Sequence, residues 1–276
     1  MGKADEEKRG YCRLCLEETE LRKSHVLSEF LYESTYEPLD LERPKQGRMV
    51  KVLANTDEKP SIMQKGLRER LLCGRCEQYL NGIGEQYASK VLKRMDETEI
   101  SAGKRYTIVN GVEYHPFKVF LMTQLWRAGV ASDPFWKNVR LGPHEERLRE
   151  MLLQADPGQP HEYACVITRF PASLLSRTVV EPCVKKIEGH TWYGFVARGY
   201  TWLYVVSSHS KNAYKPRSVL SEKGELPING AASDEGGGVT ETAKTQAGRL
   251  LAHVSGKPLI SASLLQGLSG ERTSAR

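Results

Sequence analysis

No stretch of the chain approaches the roughly 20 uninterrupted apolar residues that a membrane-spanning helix needs, so none is predicted. The opening residues, Met1-Gly2-Lys3-Ala4-Asp5-Glu6-Glu7, hold no apolar core of the kind a secretory signal requires, and a cytoplasmic location is expected. The second half contains no phosphate-binding loop, no nucleotide-binding fingerprint and no Ser-His-Asp signature. No internal repeat is visible, which excludes a solenoid or propeller. Neither sign of charge dominates. Forty Lys and Arg against 34 Asp and Glu leave a formal charge of +6. That surplus suits a polyanionic partner and is equally what a solvated basic surface gives. What is present is an apolar fraction of 39% in 276 residues, enough for one large packed domain or two modest ones.

The six cysteines carry the strongest signal. Four of them form two CxxC pairs, Cys12/Cys15 and Cys73/Cys76, in a chain without an export signal, which favours metal over disulfides. Two thiolates three residues apart at a tight turn converge on one ion, and two such pairs supply the four soft ligands of a tetrahedral zinc site. Four thiolates leave no open position, so this Zn2+ is expected to be structural and not to activate water. Cys165 and Cys183 remain as free thiols, expected in strands.

The first pair reads as a knuckle and the second as the opening of a helix, because Tyr79, Leu80, Ile83, Tyr87, Val91 and Leu92 repeat at three- and four-residue steps after Cys76. Gly82 and Gly84 weaken that helix without ending it. A knuckle followed by a helix that carries the second pair is the arrangement of a treble-clef finger, with the helix amino terminus aimed at the thiolates. Between the pairs the pattern predicts a short helix around Val26 to Leu31, irregular chain, and a strand over 49–53. Further on it predicts a hairpin-like stretch over 106–114 turning at Asn110-Gly111, and helices over 116–131 and 143–154. Four strands follow, over 163–170, 178–187, 191–197 and 201–207. The fold class expected is α+β: a zinc module over 11–96, an α+β domain with a helical segment and an antiparallel sheet over 104–210, and a mostly disordered tail over 211–276. A short helix inside that tail is possible over 247–254.

Cys12-Arg13-Leu14-Cys15, then Ser24-His25-Val26-Leu27, then Leu71-Leu72-Cys73-Gly74-Arg75-Cys76-Glu77, resembles the skeleton of zinc-stapled HNH nucleases with a ββα-metal-like module. The resemblance implies that His25 is the general base that deprotonates water. It also implies that Glu77, directly after the second CxxC, holds a catalytic Mg2+ or Mn2+ against the scissile phosphate. An imidazole of ordinary pKa near 6.5 suits the first role and a carboxylate the second. Asn81 and Glu85 follow Glu77 at i+4 and i+8, on roughly one face of the helix, so Asn81 joins the candidate site. The chain departs from the family pattern in having Ser24 before the histidine, where His or Asp is typical, and Glu77 where His or Asn is typical. The middle asparagine of the motif has no assigned counterpart, with Asn55 and Gln64 lying between the two halves.

Blander readings stand beside these. His25 can pack against the module and bond a backbone carbonyl, or replace one thiolate on zinc. Glu77, Asn81 and Glu85 can be a solvated helix face. Arg13, Arg22, Lys23, Lys65, Arg68, Arg70 and Arg75 can meet phosphates or simply be surface charge. Arg127, beside Trp126 in an apolar helix, reads as a buried ion-pair or stacking residue. Trp192, Tyr193, Tyr200, Trp202 and Tyr204 read as core, or as base-stacking residues if they face outward. Residues 11–207 as a whole resemble uncharacterised bacterial proteins that carry this kind of zinc module, a likeness that brings architecture and no reaction. The functional expectation is an HNH-like metal-dependent endonuclease acting on DNA, with bacterial defence suggested by family analogy. The rival is a non-catalytic zinc-stabilised module that binds nucleic acid or protein, with the α+β half available for a protein partner or a homo-oligomer.

Overall fold

A computed structural model describes residues 8–33, 50–53, 61–63, 66–99, 106–169, 179–187, 189–207 and 216–230. The first strands, β1 (Arg9–Tyr11), β2 (Glu18–His25) and β5 (Arg68–Cys73), form a three-stranded antiparallel sheet in the order β1-β2-β5. An irregularity between Arg22 and Lys23 shifts the β2/β5 register. A single 3-10 turn, Glu29–Leu31, stands where a short helix is expected. β5 runs directly into helix α1 (Gly74–Leu80), a π-helical turn (Asn81–Glu85) and helix α2 (Gln86–Glu97). The helix predicted after Cys76 is thus present, with one widened turn inside it.

The second sheet is larger. It has the order β4-β3-β8-β9-β10-β7-β11-β6, built from β3 (Val50–Leu53), β4 (Ser61–Met63), β6 (Tyr106–Val109), β7 (Cys165–Arg169), β8 (Val179–Ile187), β9 (His190–Ala197), β10 (Tyr200–Val206) and β11 (Leu226–Gly230). Its centre, β8-β9-β10-β7, is antiparallel as expected, with Gly189 and Gly199 at positive φ in the tight turns. Its flanks are not, because β3 joins β8 and β11 joins β7 in parallel, so the sheet is mixed. Residues 106–114 are not a hairpin. β6 pairs with the distant β11, and the chain passes Gly111 straight into the next helix. β11 also places ordered structure inside the stretch expected as tail; residues 231–276, with the expected helix at 247–254, lie outside the described residues, as do Asn55, Gln64 and Lys65.

Helices α3 (Tyr114–Val130) and α4 (Pro143–Leu153) complete the α+β architecture. α3 is central. Every residue from Phe117 to Ala128 is buried, because one side meets the sheet, where Phe120 stacks edge-on against Trp202, and another meets the zinc module. The stripe Pro116, Phe120, Gln124 and Arg127, spaced four, four and three residues apart, is the module-facing side. Alternation along β10 sends Tyr200, Trp202, Tyr204 and Val206 into the main core and Leu203 and Val205 to a second apolar cluster with Ala164, Val166 and Trp192. The sheet aromatics are therefore core residues and not a stacking platform. The main core continues from Cys12 through α3 to Ile228. Among the described residues no helix is long and apolar enough to cross a membrane.

Candidate metal centre and the ion network beside it

Cys12 ends β1's excursion and enters a tight turn closed by the Leu16 amide on the Cys12 carbonyl at 2.8 Å. The turn holds Leu16 at φ 62°, a region that costs a branched side chain about 1–3 kcal/mol unless its surroundings impose it. It is pinned to β5 by the Arg13 amide on the Leu71 carbonyl at 2.9 Å. Cys73 is the last residue of β5 and caps α1, its sulfur accepting from the Cys76 amide at 3.4 Å. The Cys73 amide donates to the Cys12 sulfur, also at 3.4 Å.

These contacts draw the four sulfurs of Cys12, Cys15, Cys73 and Cys76 to within 4.8 Å of one another, with Cys15 and Cys73 4.0 Å apart. A zinc ion with Zn–S bonds of about 2.3 Å needs sulfurs about 3.8 Å apart, so the donor set and its spacing fit a tetrahedral ion such as zinc. Burial pushes the Cys12 and Cys76 thiols up, whereas for Cys73 the burial penalty is outweighed by the Cys76 amide and the neighbouring thiols, which hold it below its usual value. Several adjacent buried thiols cannot all ionise alone, and a divalent ion is what lets them. The remainder of the protein grips this corner: Arg149 donates to the Leu14 carbonyl at 2.8 Å and Tyr79 to the Leu153 carbonyl at 2.9 Å. Bound there, zinc supplies a fixed point for the two turns.

A second constellation lies beside the first. Ser24, buried at the end of β2, donates to Glu77 Oε2 at 2.6 Å. The same carboxylate faces Arg127 Nη2 at 3.5 Å, and Arg127 Nη1 lies 2.7 Å from Glu85 Oε1. Arg127 Nη1 also donates to the His25 carbonyl at 3.3 Å. Side-chain exposure is 1% for Arg127, 13% for Glu85 and 32% for Glu77. Next to them Gln124 and Ser28 exchange two hydrogen bonds, of 2.8 and 2.9 Å.

Two local features build this network. The wide π turn slows the rotation of the helix so that Glu85 follows Glu77 onto the Arg127 side. Gly84 lets that turn press on α3, since a Cβ there would sit 3.0 Å from the Phe120 nitrogen and 3.2 Å from the Pro116 carbonyl oxygen. Asn81, expected beside Glu77, is exposed and makes no hydrogen bond with His25 or Glu77. Burial pushes Glu85 up, opposed by the Arg127 charge and reinforced by Glu77.

His25 is half-buried at the end of β2, its ring 6.0 Å from that of Tyr32. Burial holds the imidazole below its ordinary value, with Arg68 and Arg127 adding to the shift and Glu29 and Glu77 opposing it. It is therefore neutral at pH 7, and its Nε2 is buried without a hydrogen-bond partner. His25 is not among the clustered metal-competent groups, which among the described residues are the four cysteines.

The Mg2+ or Mn2+ implied by the family resemblance does not fit these residues. Among the described residues the cysteine cluster is the one group of three or more His, Cys, Asp or Glu side chains whose ligand atoms converge. Glu77 is already engaged by Ser24 and Arg127, and Asn81 is exposed. Arg127, expected as a buried ion-pair or stacking residue, is an ion-pair residue, and its partners, not foreseen from the sequence, are the candidate site carboxylate Glu77 and its helix neighbour Glu85. The α3 stripe through Phe120 and Gln124 is the signal that pairs them.

On the other face of the β2/β5 ladder, Lys23 lies directly across from Arg70 and His25 from Arg68. Among the described residues no carboxylate forms an ion pair with Lys23, Arg68 or Arg70. Arg75, by contrast, is paired with Glu17 at 2.8 Å.

Fold and site together define an α+β protein with a four-cysteine cluster suited to a metal ion such as zinc. No family model, no curated protein and no solved structure matches the chain.

Proposed function

We propose that the protein is a zinc-stapled, HNH-like treble-clef module that binds nucleic acid through the β2/β5 face without metal-dependent cleavage. The single observation that carries the reading is the like-charged cross-strand pair Lys23 and Arg70, with Arg68 beside it on β5, none of them in an ion pair with a carboxylate among the described residues. Like charges directly opposite one another destabilise a sheet, and a phosphate backbone is the partner that relieves them. The treble-clef description rests on the order of elements, with one cysteine pair in a knuckle and the other at the start of a helix that follows a strand pair. The engagement of Glu77 by Ser24 and Arg127 favours binding over hydrolysis.

Hydrolysis of DNA by the same site is the second reading. It is favoured by the neutral His25 imidazole and its unpartnered Nε2. Both readings are tested with zinc-loaded protein on labelled DNA and RNA and on plasmid with Mg2+ or Mn2+. The binding reading expects a complex whose affinity falls steeply with salt, intact plasmid, and at least ~10-fold weaker binding and a shallower salt slope for the double variant Lys23→Glu/Arg70→Glu. Nicked plasmid that depends on His25 establishes the second reading instead. No complex with either nucleic acid at low salt removes both.

A further inference from the structure

We infer that Arg127 is the resident cation of the carboxylate site: its guanidinium occupies the place between Glu77 and Glu85 that a divalent ion would otherwise take, and so keeps such ions out. The inference deepens the reading of this corner as a binding site without metal chemistry and rests on it for its functional meaning. Its physical content stands alone.

Charge, distance and satisfaction of polar groups all bear on it. Glu77 and Glu85 approach one guanidinium at 3.5 and 2.7 Å, giving a formal net charge of −1. Glu85, enclosed beside the partly exposed Glu77, requires a counter-charge, since an unpaired buried charge is among the costliest features a fold can carry. Arg127 comes from α3, a helix buried along nearly its whole length, so the guanidinium is fixed by the fold and cannot be exchanged as an ion can. Its Nε and Nη2, and Glu85 Oε1, lack a well-directed hydrogen bond although buried. The contact between Arg127 and the acids is thus chiefly one of charge. A planar fork that meets one carboxylate at 2.7 Å and the other only at 3.5 Å, on a buried stem with Glu77 at its partly exposed edge, fills a cationic position and does not form a bidentate pair.

The two cation positions of this corner are then filled by different means. The thiol cluster takes its ion from solution, whereas the carboxylate pair takes its cation from α3. The hydrogen bond from Arg127 to the His25 carbonyl ties the end of β2 to the same guanidinium, which makes Arg127 a positioning residue for the β2 end of the basic ladder as well.

The test is a Mn2+ titration of zinc-saturated protein, followed by electron paramagnetic resonance and by the shift in melting temperature. Wild type and Glu77→Gln/Glu85→Gln should bind Mn2+ equally poorly. Arg127→Met should bind one Mn2+ per chain at least ~10-fold more tightly than wild type and be stabilised by it, because removing the guanidinium leaves two oxygen ligands with uncompensated charge. That gain should vanish in Arg127→Met/Glu77→Gln/Glu85→Gln. Wild-type Mn2+ binding that is lost in Glu77→Gln/Glu85→Gln overturns the inference, as does an Arg127→Met protein that folds and shows no gain. If Arg127→Met folds only with Mn2+ present the inference holds; if it folds under neither condition, the wild-type and carboxylate-variant titrations decide. Nucleic-acid binding is read separately, so the function proposed above can fail while the resident-cation inference stands, and the reverse.

Discussion

The cysteine cluster and the Arg127 network sit side by side and do the same topological job in opposite ways. Each ties distant segments together: the cluster joins the turn after β1 to β5 and α1 through four sulfurs within 4.8 Å, and the network joins β2, α1 and the π turn to α3 through Glu77, Glu85 and the His25 carbonyl on one guanidinium, with Ser24 holding Glu77. The cluster brings together four soft ligands suited to a metal ion such as zinc, whose charge would come from solution. The network contains its own counter-charge and needs nothing from solution. A site's residue types therefore say less about metal binding than whether a matching charge is already built in.

The largest effect that separates the two is metal removal. Chelation of zinc, or Cys73→Ser, is expected to unfold the 8–33 and 66–97 region, because zinc in small modules contributes on the order of 10–16 kcal/mol of apparent binding free energy. Elemental analysis should find one zinc per wild-type chain, and circular dichroism should lose helix on chelation. A metal-free protein with unchanged spectrum and melting temperature would place the cysteines among ordinary buried thiols.

Arg127→Met should come next, costing about 3–5 kcal/mol in metal-free buffer, since it strands the enclosed Glu85 beside a second carboxylate, Glu77. The loss should shrink at acid pH, where Glu85, already pushed up by burial, takes a proton most readily. Denaturant melts at pH 5 and pH 8 compare the two conditions, and an equal loss at both would contradict the electrostatic account.

Ser24→Ala removes a buried hydroxyl from a carboxylate and should cost about 1.5–3 kcal/mol by the same measurement. A cost near zero would mean that Arg127 alone fixes Glu77.

A smaller effect is a pH dependence at His25. Burial depresses its folded-state value, so between that value and about pH 6.5 the unfolded chain carries the extra proton. The stability due to the neutral imidazole is fully present above about pH 6.5 and is lost as the pH falls through the folded value. His25→Gln should flatten that acid limb of the stability curve, and an unchanged limb would assign it to other groups. The exposed Glu17–Arg75 pair, which touches only the rim of the cluster, should leave stability within error when Glu17 is replaced by Gln.

Much of this was legible in the chain itself. Two CxxC pairs, the apolar steps after Cys76, the apolar residues Phe117, Phe120, Leu121, Leu125 and Trp126 of α3 and the β-branched and aromatic content of β9 and β10 are local patterns, and local patterns follow from backbone geometry. Sequence also set which side chains could ever be ligands: four thiols for zinc and the Glu77 carboxylate, while Arg127 stood apart as a buried residue of a distant helix.

Long-range pairing was decided only by the tertiary fold. The Asn110-Gly111 signal is real as a turn at positive φ, yet β6 pairs with β11 more than a hundred residues away, because the sheet offers an edge that the local chain does not. In the same way a heptad of α3, from Phe120 to Arg127, and one widened turn at Asn81–Glu85 determine that a guanidinium, and not a dissolved ion, faces Glu77. The physical reason is that a ligand's chemistry is a property of its side chain, whereas its counter-charge is a property of whatever the packing brings within a few ångströms.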